Sequence, residues 1–257
     1  MTTPLATVVV PVKNMSGRVK NMSSWLEEVE DFSIEIIFVD DDSTDSTFSE
    51  LAELKQYFDS LKIQVINGVF SGPGGARNAG LSLAQGQWVV FWDSDDIPYP
   101  KAFFEMIKVA TKRELDFAVG NWIESPNNNF QQVTLKIATH GNNLRELIEY
   151  PGIWRWAFKR SAIGDARFPQ ILLGEDLIFL SKLQIRLSRV YRCRELVYSY
   201  STGDESQLTS DKSIRRNSAA LFQYLKSRDF LYGKVTFFGA LLKTKLLVST
   251  IKRIVLP

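Results

Sequence analysis

Apolar residues run almost unbroken through residues 6–12 (ATVVVPV), 35–40 (EIIFVD), 62–68 (KIQVING), 88–92 (WVVFW) and 117–122 (FAVGNW). Short runs rich in Val, Ile and aromatics, bounded by polar residues, predict strands buried on both faces. Helical spacing fills the intervals: a short helix over 22–30, longer ones over 48–58, 76–84 and 101–112. Ser43 to Thr47 carry helix-start chemistry, and Pro98 and Pro100 precede the fourth helical stretch. FSGPGG (70–75) predicts a loop. The second half is less regular. Residues 125–132 read as a turn, 142–150 as a helix, and 190–200 as a strand. LLGEDLIFLSKLQI (172–185) reads as a loop that delivers Glu175 and Asp176 to the start of a helix.

Strands spaced by helices predict an α/β fold: a mostly parallel, Rossmann-like central sheet with helices on both faces. There is no internal repeat and no low-complexity linker, so residues 1–225 read as one catalytic domain. Residues 226–257 differ. They hold seven Lys or Arg and a single acid, Asp229, interleaved with Phe237, Phe238, Leu241, Leu242, Leu246, Leu247, Ile251 and Ile254. That is the pattern of a basic amphipathic helical extension. It suits a hairpin packed on the domain with solvated lysines. It equally suits a helix lying on an anionic membrane.

In parallel sheets of this kind ligands bind beyond the carboxyl ends of the strands. Two predicted strands run directly into acid there: VDDDSTD (39–45) and WDSDD (92–96). Carboxylates crowded on one rim repel unless a cation or a polar ligand compensates them. Clustered oxygen donors suit Mg2+ or Mn2+, which commonly also hold substrate phosphates. Not every acid needs that role. Asp42 and Asp45 read as turn and cap residues, and Asp96 as capping the turn towards Pro98. Gly72, Gly74 and Gly75 before a helix suit either a plain loop or a phosphate cradle. Trp154 and Trp156 read first as packing, with an aromatic platform for a ligand as the second reading.

The bulk numbers exclude several classes. A net charge of +2 over 257 residues is too small to argue for nucleic acid. One cysteine, Cys193, allows no intrachain disulfide, which makes the reducing cytoplasm the expected compartment. One histidine, His140, argues against a His-rich zinc site and a Ser-His-Asp triad. The first residues read as a strand rather than a signal peptide, and no window is apolar enough for a membrane span.

Taken in order, VVVPVKN, VDDDSTD, GGARNAG, WDSDD and a later GED resemble the inverting family-2 glycosyltransferases of the GT-A fold over about residues 6–200. The resemblance implies nucleotide-sugar contacts from Pro11, Asp40, Asp41, Arg77, Asp93, Ser94 and Asp95. Asp41 is similar to the family aspartate on the nucleotide base, and Arg77 lies where the family places a residue near the nucleotide or its phosphates. Asp93 and Asp95 resemble the DxD pair, one near the ribose and one on a divalent metal. Asp176 resembles the catalytic base, with Glu175 its neighbour. Two departures stand out. Asp42 replaces a frequent glycine, and no QxxRW motif follows the acidic pair, since Arg155-Trp156 precedes it. That argues for a non-processive enzyme.

The expectation is therefore a metal-dependent, inverting transferase, using a nucleotide-diphosphate sugar (UDP-linked first) and a hydroxyl on a glycan or lipid-linked acceptor. Its expected place is the cytoplasm, with any tail contact at the inner face of the cell membrane. A sugar-phosphate nucleotidyltransferase is a rival, but that class carries its glycine loop after the first strand, whereas here the loop follows the third. A non-catalytic nucleotide-sugar or glycan binder is the other rival, and the intact Asp93, Asp95 and Asp176 argue against it.

Overall fold

The computed structural model describes residues 3–126, 134–136, 147, 150, 152–171, 174–202, 240–241, 243–245 and 247–248. Four strands form its parallel half: β1 (Ala6–Val12), β2 (Ile34–Asp41), β3 (Lys62–Gly68) and β4 (Trp88–Phe91). They lie in the order β3-β2-β1-β4, with Val12 opposite Asp40, Asp41 opposite Gly68, and Val9 opposite Phe91. Their carboxyl ends therefore share one edge.

Beyond β4 the sheet is mixed. It continues through β8 (Trp156–Lys159), β6 (Phe117–Pro126), β9 (Val190–Thr202) and β5 (Ile97–Pro98), with β7 (Thr134–Lys136) pairing on β6. β8 runs antiparallel to both β4 and β6, whereas β6 and β9 are parallel. The expected α/β sheet is present, but its second half is less parallel than the repeating pattern predicts. β8 and β5 are only four and two residues long. Segments that short carry no period for a sequence to show.

Side chains alternate between two cores, as the period of a strand requires. Val8, Val10, Ile36, Phe38, Trp88 and Val90 face one side. There they meet α1 (Ser23–Glu27), α2 (Thr47–Tyr57) and α4 (Pro100–Lys112) through Trp25, Leu51, Phe103 and Phe104. Val9, Ile37, Val39, Val89 and Phe91 face the other side. That core is closed by α3 (Pro73–Leu83), α5 (Arg160–Ile163) and α6 (Glu175–Lys182) through Ala76, Leu81, Ile163, Phe179 and Leu180.

Helix α3 begins earlier than the expected 76. Pro73 sits in its first turn, where a missing N–H costs nothing, and Gly72 precedes it at φ +105°. The expected loop thus shrinks to residues 69–72. Gly75 is required inside that turn, because a Cβ there would lie 1.7 Å from the Phe70 carbonyl oxygen.

The opposite, amino-terminal end of the sheet is fixed by Glu35, which is fully buried. Its carboxylate accepts from the Thr7 hydroxyl and the Gln85 and Gly86 amides, and pairs with Lys62 at 2.8 Å. Among the described residues no helix is long and apolar enough to cross a membrane. In the basic tail, the described residues between Ala240 and Val248 are helical, and Leu247 and Val248 are exposed. Of the predicted 142–150 helix only residues 147 and 150 are described, Leu147 helical and buried and Tyr150 exposed; His140 and most of 226–257 lie outside the described residues.

Candidate active site

The shared edge gathers the acid-rich ends of β2 and β4. Asp40, fully buried, accepts from the Ser43 hydroxyl and from Asn67 Nδ2 at 2.7 Å. Asp41 spends both carboxylate oxygens on the loop before α3. Oδ1 accepts from the Phe70 amide at 2.6 Å and Oδ2 from the Gly72 amide at 2.8 Å. Lys13 reaches the same place from β1, donating to the Asp41 carbonyl at 2.7 Å. Asp42 is exposed at φ +57°, a turn residue. Asp45 accepts from the amide and hydroxyl of Thr47 and so closes the start of α2. Both take the structural roles expected of turn and cap residues.

After β4, Asp93 and Asp95 are half-buried on the turn, with Ser94 between them. The Asp93 amide donates to Tyr198 Oη at 2.9 Å. Asp96 points inward, and its Oδ1 accepts from the Ser201 amide at 2.7 Å. Burial first, then the charges of Asp95 and Asp93, raise the Asp96 carboxyl well above the usual range. Asp96 and Tyr198 thus tie the DxD turn to β9, a role that sequence reading missed. Tyr198 lies more than a hundred residues downstream and looks like any strand tyrosine.

Arg77 joins this rim to the second half of the chain. Nη2 pairs with Asp93 Oδ1 at 2.6 Å and Nη1 with Glu175 Oε1 at 2.7 Å. Burial alone would lower the guanidinium pKa, but the two carboxylates outweigh it and hold Arg77 firmly charged. Glu175 is buried, and desolvation pushes its carboxyl up to about 7. Arg77 opposes that rise but divides its charge with Asp93, and neighbouring Asp176 adds to it. Asp176 is half-buried at the start of α6, and its Oδ1 accepts from the Leu177 amide at 2.7 Å. Burial is also the main cause of its raised pKa. Gly174 at φ +83° makes the turn that presents the pair.

The two tryptophans part company. Trp156 is fully buried in the α3/α6 core and stacks on Phe158, so it offers no face to a sugar. The platform expectation is corrected there to packing. Trp154 is half-buried and stacks on Tyr198 at 4.7 Å and Tyr200 at 5.3 Å between ring centroids. Pro11, near the end of β1, is half-buried beside Val39.

The donor set is one of hard oxygens. Among the described residues no three His, Cys, Asp or Glu side chains converge as a ready-made metal cage. Asp93 and Asp95 offer the oxygen type that Mg2+ takes together with phosphate oxygens and water, and Asp93 Oδ1 is at the same time the partner of Arg77.

The chain is similar in sequence and fold to known proteins. The chain is 24% identical over 216 residues to the poly(ribitol-phosphate) β-N-acetylglucosaminyltransferase TarS of Staphylococcus aureus, covering 80% of this chain and 37% of that protein. It is 29% identical over 212 residues to the UDP-Glc:α-D-GlcNAc-diphosphoundecaprenol β-1,3-glucosyltransferase WfgD of Escherichia coli, covering 81% of each. It spans about a third to a half of the first curated relatives it matches (37% and 55%). In structure it resembles TarS residues 1–349 bound to UDP-GlcNAc, at TM-score 0.68 and 19% identity, over 96% of this chain and 81% of that one. It also resembles the mannosyltransferase PcManGT of Pyrobaculum calidifontis bound to GDP-Man and Mn2+, at TM-score 0.64 and 17% identity, over 97% of this chain and 70% of that one. Those likenesses establish the GT-A fold. Residues 7–171 match the Glycosyl transferase family 2, and with most of the chain inside that match, this protein belongs to glycosyl transferase family 2.

Proposed function

We propose that this protein transfers a sugar from a nucleoside-diphosphate donor, UDP-linked, to a hydroxyl of a glycan or lipid-linked acceptor, inverting the anomeric centre and adding one residue per encounter. One observation carries the reading: a single guanidinium holds Asp93 of the rim and Glu175 of the GED pair at 2.6 and 2.7 Å. This bridge supports reading the donor-side acids and the candidate base, the next residue after Glu175, as parts of one site. WfgD is named for UDP-glucose and a diphosphoundecaprenol acceptor, and TarS for a poly(ribitol-phosphate) acceptor. These names support the donor and acceptor classes proposed here.

In this reading Asp40, Asp41 and Pro11 border the base and ribose, with the backbone of the 70–72 loop held in place by Asp41. Asp93, Ser94 and Asp95 face the diphosphate, and Asp93 and Asp95 hold a divalent cation. When bound, such a cation neutralises charge on the departing diphosphate. Asp176 takes the proton from the acceptor hydroxyl as attack develops. Its raised pKa suits that work, because a more basic carboxylate accepts a proton more readily near neutral pH. Glu175 is engaged by Arg77 and is the poorer candidate for base. A single base fits direct displacement, whereas retention by double displacement needs a carboxylate nucleophile as well. Trp154 is the better of the two tryptophans for an acceptor ring.

The test is a calorimetric screen of UDP-, GDP-, CDP- and dTDP-sugars with and without Mn2+, on the natural chain and on Asp95→Ala. Metal-dependent binding of one nucleotide class, lost in Asp95→Ala, is the expected result. Binding of none by the natural chain would end the reading.

A further inference from the structure

The segment that carries the GED pair rests on α3, at the motif GGARNAG. Gly74 leaves room for it: a Cβ there would lie 2.8 Å from the Pro169 carbonyl oxygen and 3.3 Å from Glu175 Cγ. Asn78 grips it with both ends of its amide. Nδ2 donates to the Phe168 carbonyl at 2.9 Å, and Oδ1 accepts from the Phe168 amide at 2.9 Å. Arg77 lies between them, with its guanidinium 5.6 Å from the centre of the Phe168 ring. Both terminal nitrogens face carboxylates, and Nε is buried with no partner among the described residues. The side chain is 6% exposed. An arginine serving a diphosphate would turn its fork towards the open edge. This one turns it towards two acids that approach from different halves of the chain.

We propose that the Gly74–Arg77–Asn78 turn of α3 seats the base-bearing segment, and that Arg77 is a positioning residue for Glu175 and Asp176 rather than a ligand of the donor phosphates. A guanidinium is planar and rigid, with its donors at fixed angles. Two carboxylates bound to its two ends are held at a set separation. The β4 rim and the start of α6 are thereby held in register. Lysine supplies the charge but is a single point and cannot span both acids. The inference rests on the transferase reading, because it gives Asp176 a part in the reaction.

The experiment uses the full chain and Arg77→Gln, Arg77→Lys and Asn78→Ala, with UDP and Mn2+ as binding probes. Turnover of UDP-glucose and UDP-N-acetylglucosamine gives kcat and KM, and hydrogen exchange is followed across residues 168–182. In Asn78→Ala, which leaves the Arg77–Asp93 pair in place, the affinity for UDP with Mn2+ is expected to change less than about threefold; in both Asn78→Ala and Arg77→Gln kcat falls roughly 100-fold, as for a misplaced catalytic group. Exchange across 168–182 rises in both. Arg77→Lys keeps the nucleotide affinity and does not restore kcat. Asn78→Ala removes no charge, so it carries the test if Arg77→Gln fails to fold. The proposal is overturned if Arg77→Gln weakens UDP binding by more than about tenfold with kcat retained. Full rescue by lysine, or unchanged exchange in Asn78→Ala, also overturns it. If the natural chain neither binds UDP nor turns over a donor, the transferase reading falls. Exchange then decides the seating on its own.

Discussion

At the scale of single residues, the site is a set of acids treated differently by their surroundings. Asp41 and Asp45 accept backbone amides and hold loops. Asp93 meets an arginine, and Asp176 remains half-buried with a raised pKa. With Asp176 as the proposed base, which works only when deprotonated, activity should fall as pH drops through its pKa. Because burial raises that pKa, the acid limb of the pH–rate profile is expected above the ordinary carboxylate value of about 3.9. Asp176→Asn should cost about 100- to 10,000-fold in kcat and abolish the limb. A profile flat through that range in the natural chain would argue that Asp176 is not the base.

At the scale of elements, each end of the sheet has its own fastening. At the site end, α3 starts under the 69–72 loop and tolerates no side chain at Gly75, where a Cβ would overlap the Phe70 carbonyl. Gly75→Ala is expected to lower stability by about 3 kcal/mol through forced displacement of backbone, read as a fall in the urea midpoint. At the opposite end, Glu35 links β1, β2, β3 and the turn before β4 through Thr7, Lys62, Gln85 and Gly86. Burial alone would raise the Glu35 pKa, but Lys62, Thr7 and the Gln85 amide outweigh it and hold it below the usual value. The folded chain therefore binds this proton more weakly than the unfolded chain. The resulting stability is fully present above the unfolded pKa of about 4.3 and is lost as pH falls through the folded value. Glu35→Ala should cost on the order of 2–3 kcal/mol near neutral pH, and the acid-denaturation curve of Glu35→Gln should lose that component.

At the scale of the whole molecule, the proposed donor rim draws on β1, β2, β4 and β9, so a ligand there would be felt across the sheet. Binding to the folded state alone adds about 2.7 kcal/mol at a ligand concentration 100 times Kd. UDP with Mn2+ should therefore raise Tm in the natural chain, and Asp95→Ala should remove the shift. A rise that survives in Asp95→Ala would place the nucleotide elsewhere.

How much of this was legible beforehand follows from the range of each signal. Period and composition are local, so β1 to β4, α2 and α4 could be read directly, as could the acids at the ends of β2 and β4. The rule for open sheets then placed both acid groups on one edge. Local pattern was enough for the α/β class, the acid-bearing edge, and the structural parts of Asp42 and Asp45. Long-range packing settled the rest: β8 enters antiparallel beside β4, Trp156 is core, Tyr198 supports the Asp93 turn, and Arg77 bridges Asp93 and Glu175. Arg77 and Glu175 are 98 positions apart. No local pattern encodes such a meeting, because it depends on how α3 and α6 pack on the same face of the sheet.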